Sequence, residues 1–176
     1  VFRYCLISLI LMKIKFIFLI ALLSLVPFSL KSQVDFIEVE TMEQMEAVQK
    51  KASDQMLMLF VDVYATWCVP CREEMPQLNE LQAALGGENF EVAAINIDKG
   101  GADKAKGFLE ETGAEALTLY TDPTGKLFGM LKVVGMPTTI LLNPQGQEMG
   151  RLVGPADWAS PEAKDLIKAA IVAQGG

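Results

Sequence analysis

"FVDVYATWCVPCREEMPQLNEL", residues 60–81, passes from one kind of hydrophobic pattern to another. Its first part belongs to a continuous apolar run over 56–65, which predicts a buried central strand. From about Val69 to Leu85, Met75, Leu78, Leu81 and Leu85 recur at helical spacing, and Gly86-Gly87 ends the helix. Cys68 and Cys71 fall where strand gives way to helix. Open α/β sheets place ligands outside the carboxyl ends of their strands, so position alone favours a functional pair.

The spacing gives the pair a geometry. Residues i and i+3 share a helical face, so the two sulfurs can bond. Cys68 lies near the helix N-cap, among unpaired N–H groups and at the positive end of the helix dipole, which favours thiolate over thiol. Cys68 therefore reads as the exposed nucleophile and Cys71 as the buried resolving thiol. Two other readings fit the spacing less well. A zinc half-site needs two more ligands, and beyond Cys5 the chain has no third cysteine and no histidine. A purely structural disulfide around two residues would add little stability. The absence of histidine also excludes a Cys–His nucleophile pair and a Ser–His–Asp triad. Covalent c-type haem is excluded because Arg72 follows the second cysteine.

Working outward, strands and helices alternate. A short strand is expected at 36–39 and a helix at 41–53, with Met42, Met45 and Val48 on one face and a capping box from Thr41 and Gln44. Further strands are expected at 90–98, 116–121 and 138–143, the last returning as a hairpin through 148–154. Helices are expected at 102–112, with Ala105, Phe108 and Leu109 inward, and briefly at 125–131 after a DPTG turn. Ser160 caps a final helix that opens on Pro161 and turns Leu166, Ile167 and Ala170 inward. This pattern predicts an α/β sandwich around a mixed sheet.

Residues 1–33 read as upstream residues plus a signal peptide or signal anchor, and 34–176 as the folded domain. From Met12, Lys13 and Lys15 precede an apolar stretch, Phe16 to Leu30, with Ser29 and Ser32 near a cleavage point. Met12 reads as the native start, and no lipid-attachment pattern surrounds Cys5. Export to the periplasm or another extracytoplasmic space is the expectation, with an uncleaved anchor as the alternative. Of the 15 basic residues, Arg3, Lys13 and Lys15 precede the apolar stretch, leaving 12 against 22 acidic ones. Such a surface disfavours nucleic acid and anionic lipid as ligands.

The quoted stretch, followed by "GMPTTILLNPQG" at 135–146, resembles the thioredoxin superfamily, in particular its TlpA/ResA branch of thiol-disulfide oxidoreductases. The resemblance covers roughly 36–173. It implies a thioredoxin-like three-layer sandwich with an N-terminal β/α extension and an inserted β/α unit after the C-x-x-C helix. It further implies a cis bond at Met136-Pro137, next to the cysteines. Without the resemblance, Pro137 would read as a trans-proline opening a strand. Trp67, Val69, Pro70, Met136 and Pro137 form the expected client-binding surface, to which an extended peptide adds as a strand.

Two acids complete the expected site. Asp62 interrupts an apolar run, and a buried carboxyl without partners stays protonated. It matches the buried acid of thioredoxin, where many TlpA/ResA members have Asn. Glu74 matches the ResA-type acid three residues after the second cysteine, and shares a helical face with Cys71. Its alternative is a solvated charge.

The resemblance implies a protein-disulfide reductase using only its redox-active Cys68–Cys71 disulfide, with no metal or other cofactor. Clients would be proteins with cysteine pairs in cytochrome or oxidase assembly. The protein would act as a monomer, kept reduced by a membrane electron donor of the DsbD/CcdA type. A copper-handling chaperone using the same thiols is an alternative, weakened by the lack of His and by the shorter C-x-x-C spacing. The oxidase or isomerase direction is a second alternative, since direction depends on the potential of the pair. The peroxidatic P-x-x-x-[TS]-x-x-C pattern is missing at both cysteines.

Overall fold

The computed structural model describes residues 36–38 (backbone only), 47, 50 and 52–174. The expected leader, the Met42, Met45 and Val48 face and the Thr41–Gln44 cap lie outside the described residues. Two units divide the chain, Val1–Lys31 and Ser32–Gly176, and all described residues belong to the second. Among the described residues no helix is long and apolar enough to cross a membrane.

Six strands form one sheet: β1 (Phe36–Glu38), β2 (Met58–Tyr64), β3 (Phe90–Asn96), β4 (Thr118–Thr121), β5 (Thr138–Leu142) and β6 (Glu148–Val153). Their order is β1-β4-β3-β2-β5-β6. The first four neighbours pair in parallel, and β5 and β6 are antiparallel. The helices are α1 (Val69–Leu85), α2 (Gly101–Glu111), α3 (Lys126–Met130) and α4 (Pro161–Gln174). Residues 47, 50 and 52–54 are also helical, running one residue past the helix expected at 41–53. The strand–helix unit expected after the cysteine helix is β3 with α2, and β4, which follows it, lies between β1 and β3.

The central position of β2 explains its sequence. All seven residues are buried, because β3 and β5 flank it and both of its faces are covered. Phe60 and Tyr64 point to the face packed by Met75, Leu78 and Leu81 of α1, Phe108 of α2 and Ile167 of α4. Leu59, Val61 and Val63 point to the other face, with Ala52 and with Leu127 of α3. Strand alternation puts Asp62 on the α1 face, between Phe60 and Tyr64.

Local chemistry sets several boundaries. β3 stops at Asn96, not 98, because the Asn96 Oδ1 accepts the Asp98 N–H (3.0 Å) and turns the chain. β4 starts at Thr118, not 116, because the Ala116 N–H donates to Asn79 Oδ1 (2.8 Å). In the DPTG turn Gly125 takes φ 69°, a conformation that glycine adopts without strain. Ser160 Oγ accepts the Ala163 N–H (3.2 Å), as expected of an N-cap. One inward assignment fails: Leu166 is 65% exposed, whereas Ile167 is buried. Both residues match Ala170 at helical spacing, and α4 turns the second of them to the sheet.

Candidate active site

α1 begins at the end of β2, and Cys68 is its N-cap, with extended backbone (φ −81°, ψ 108°). Cys68 Sγ accepts the Cys71 N–H at 3.3 Å, satisfying one of the free donors of the first turn. Pro70, in that same turn, has no N–H to satisfy. No acidic residue occupies the first turn, so the positive end of the helix faces Cys68 without a local counter-charge. The two sulfurs are bonded, with S–S 2.04 Å and Cα–Cα 5.3 Å. Cys71 is fully buried, and Cys68 is 7% exposed, less open than the sequence suggested but the more accessible of the two.

The peptide Met136-Pro137 is cis. Its placement follows from the sheet register. Val63, near the end of β2, pairs with Thr138 at the start of β5, so Pro137 sits at the edge where α1 begins. Met136 packs against the cluster that contains both cysteines. Trp67 and Val69 flank Cys68 and are about two-thirds exposed, and Val134 is more exposed still. These side chains leave an apolar surface beside the disulfide.

Behind it lie the two acids. Asp62 is fully buried and Glu74 is 2% exposed, so Glu74 is not a solvated charge. Thr139, opposite Asp62 in the sheet, donates its hydroxyl to Asp62 Oδ1 (3.3 Å). Glu74 Oε2 accepts the Ala156 N–H (3.4 Å). Asp62 Oδ2 and Glu74 Oε1 have no hydrogen-bond partner. Burial raises Asp62 well above the carboxylate range, and the charge of Glu74 raises it further. Burial raises Glu74 to about 7, opposed by the Ala156 N–H and by interactions with Asp62 and Trp158. Both acids are thus pushed upward by burial, and Glu74, near 7, is poised to gain or lose a proton at neutral pH.

Sequence reasoning did not reach the segment that covers Glu74. Gln77, one turn beyond it on α1, accepts the Trp158 N–H (3.0 Å). A cleft of about 320 Å³ opens here, lined by Pro70, Glu73, Glu74, Gln77 and residues 155–157. The signal was the conspicuous Trp158 in "GPADWASP", whose destination the sequence does not state. An apolar hollow of about 340 Å³ lies on the opposite face of the sheet, between Leu59, Val61, Ile95 and Leu127, away from the cysteines and both acids.

Arg72 is engaged elsewhere. Its guanidinium lies 4.9 Å from the Phe108 ring centroid and pairs with Glu111 (2.9 Å). Tyr64 stacks on the same Phe108 ring at 5.3 Å.

A mixed sheet with a dithiol at the start of the helix after its central strand, and a cis-proline at the same edge, defines the thioredoxin-like class. The AhpC/TSA family matches residues 28–147, and the chain belongs to that family. The thiol:disulfide interchange protein HelX of Rhodobacter capsulatus is 35% identical over 95 residues, 54% of this chain and 51% of HelX. The thiol-disulfide oxidoreductase ResA of Bacillus thuringiensis is 30% identical over 97 residues, 54% of each chain. The chain thus spans about half the length of the curated relatives it matches. A Chlorobium tepidum structure assigned as the thiol:disulfide interchange protein DsbE is 33% identical with TM-score 0.56, covering 70% of this chain and 84% of that one. The expected resemblance to thiol-disulfide oxidoreductases is borne out by these relatives.

Proposed function

We propose that this protein reduces disulfides in client proteins outside the cytoplasm through the Cys68–Cys71 couple. The observation that carries the reading is the dithiol capping α1 with two buried carboxyl groups behind it. In the reduced protein, the Cys68 thiolate attacks a client disulfide. A Cys68–client S–S bond forms, the client S–S bond breaks, and one client thiolate leaves. Cys71 then gives its proton to Glu74 and attacks Cys68 Sγ as a thiolate. The Cys68–Cys71 bond forms and the second client thiolate leaves. The client gains two electrons and the protein dithiol loses them.

The assignment of Glu74 as acceptor rests on its value near 7, since a base works best when its pKa lies near the operating pH. Asp62, fully buried and pushed well above the carboxylate range by that burial, is the weaker candidate. Trp67, Val69, Pro70, Met136 and Pro137 serve in this reading as the client surface. The reaction needs no cofactor beyond the couple itself. Return of electrons falls to a membrane donor of the DsbD/CcdA type, and the clients are cysteine pairs in cytochrome or oxidase assembly.

Two measurements test the proposal. Equilibrated against glutathione, the couple should give a strongly negative potential, and a value near that of strongly oxidising dithiol proteins would reverse the direction. Cys71→Ser should accumulate a covalent client complex, while Cys68→Ser should accumulate none. The opposite pattern would exchange the roles of the two thiols.

A further inference from the structure

The segment that follows β6 carries an indole whose donor has no partner. Trp158 is buried, yet its Nε1 lacks a hydrogen-bond partner. A desolvated indole N–H is costly, and buried tryptophans normally satisfy it. Glu74 Oε1 is a buried acceptor in the same condition. The two belong to segments already tied together. The Ala156 N–H reaches the other oxygen of the same carboxylate, and the Trp158 N–H reaches Gln77, three residues beyond Glu74 on α1. The indole is also held from the sheet side, where its ring meets Phe60 edge-on at 4.8 Å, and Phe60 and Asp62 share a face of β2.

We infer that Trp158 is a positioning residue for Glu74: its indole N–H donates to Glu74 Oε1 while the Ala156 N–H holds Oε2, fixing the carboxylate at the inner end of the cleft lined by 155–157. The inference rests on the reading that Glu74 accepts the Cys71 proton. A donor at Oε1 stabilises the ionised acid, in line with the direction in which Trp158 acts on Glu74. It opposes burial and keeps the group titrating near neutrality. The titratable groups facing Glu74 are Asp62 from β2, Cys71 one turn back on α1 in its reduced form, and, at the cleft, Glu73 of α1 and Asp157 of the loop; no cation lines that cleft among the described residues. Without the indole, burial of the carboxylate would be opposed only by the Ala156 N–H and the interaction with Asp62. The cleft gives the accepted proton its way to water.

A phenylalanine would fill the same apolar space without the donor. In the full-length oxidised protein, with glutamate carboxyl carbons labelled, the Glu74 resonance should titrate near 7, and Trp158→Phe should raise its midpoint by about half a unit to one unit. A midpoint that stays in place overturns the inference. A second readout leaves the indole in place. The chain has two tryptophans, so two indole N–H signals are expected, and the exposed Trp67 serves as the internal reference. The Trp158 signal should follow the Glu74 titration in the wild type and lose that dependence in Glu74→Gln. An unchanged pH dependence in Glu74→Gln also overturns the inference. The underlying reading is tested separately by the rate of mixed-disulfide resolution. If Trp158→Phe moves the Glu74 titration while Glu74→Gln leaves that rate unchanged, the indole contact stands and Glu74 loses its role as proton acceptor.

Discussion

Two places at the same end of the sheet bury acids and reach opposite results. Asp98, just beyond β3, is as secluded as Glu74, being 6% exposed. It is fully engaged: Oδ2 accepts the Thr66 N–H (2.8 Å) and the Asn96 amide (2.9 Å), and Oδ1 faces Lys104 (3.3 Å). Burial pushes Asp98 up, but these partners outweigh it and leave the carboxyl below its usual value. Asp62 and Glu74 each leave one oxygen without a partner, and both move upward. Burial alone therefore does not mark a reactive acid. What separates a structural carboxylate from a proton-handling one is how many donors the fold brings to it.

The largest expected effect breaks the structural side of that contrast. Asp98→Ala strands the Thr66 N–H and the Asn96 amide, and should cost about 2–4 kcal/mol in urea unfolding. The pH midpoint of mixed-disulfide resolution should stay where it is. A shifted midpoint would place Asp98 in the proton chemistry and erase the distinction.

A smaller effect sharpens the other side. The folded-state value of Glu74 is raised from 4.5 to about 7. The stability that protonation confers is then fully present below about 4.5 and is lost as pH rises through 7. Discounted for partial solvent access, the loss between pH 5 and 8 should be about 1–2 kcal/mol for the oxidised protein. Glu74→Gln should flatten that slope and slow resolution near pH 7 by about 10-fold or more. An equal slope in the variant would mean that Glu74 titrates at its ordinary value.

The smallest effect concerns Asp62. An amide keeps the size of the buried carboxyl and the oxygen that accepts the Thr139 hydroxyl, so Asp62→Asn should change resolution by less than about 3-fold at neutral pH. A loss as large as that of Glu74→Gln would make Asp62 the acceptor instead.

The sequence made the cysteine pair legible because its geometry is local, set by one helical turn. Asp62 was legible as a polar break in an apolar run, and Glu74 as a residue on the face of Cys71. The surroundings of Glu74 were not legible, since Ala156 and Trp158 reach it only after β5, β6 and the following loop have folded back on α1. Thr139 escaped for the same reason: its pairing with Asp62 depends on the register of β5, and nothing local fixes that register. Leu166 and Ile167 mark a different limit. Neighbouring apolar residues in a helix give no periodicity with which to choose between them, and the choice falls to how α4 lies on the sheet.

The reach of these contacts has a consequence for which parts of the chain make the molecule competent. Thr139 is 77 residues from Asp62, Trp158 is 81 from Gln77, and Ala156 is 82 from Glu74. Each of these contacts closes a long loop, whereas the two thiols need only the first turn of α1. A chain cut before residue 156 would keep its cysteine pair but lose the backbone donor that holds Glu74. On the mechanism proposed above, such a chain can attack a disulfide but is slow to let the partner go. Efficient turnover therefore depends on the carboxyl-terminal segment being docked on α1.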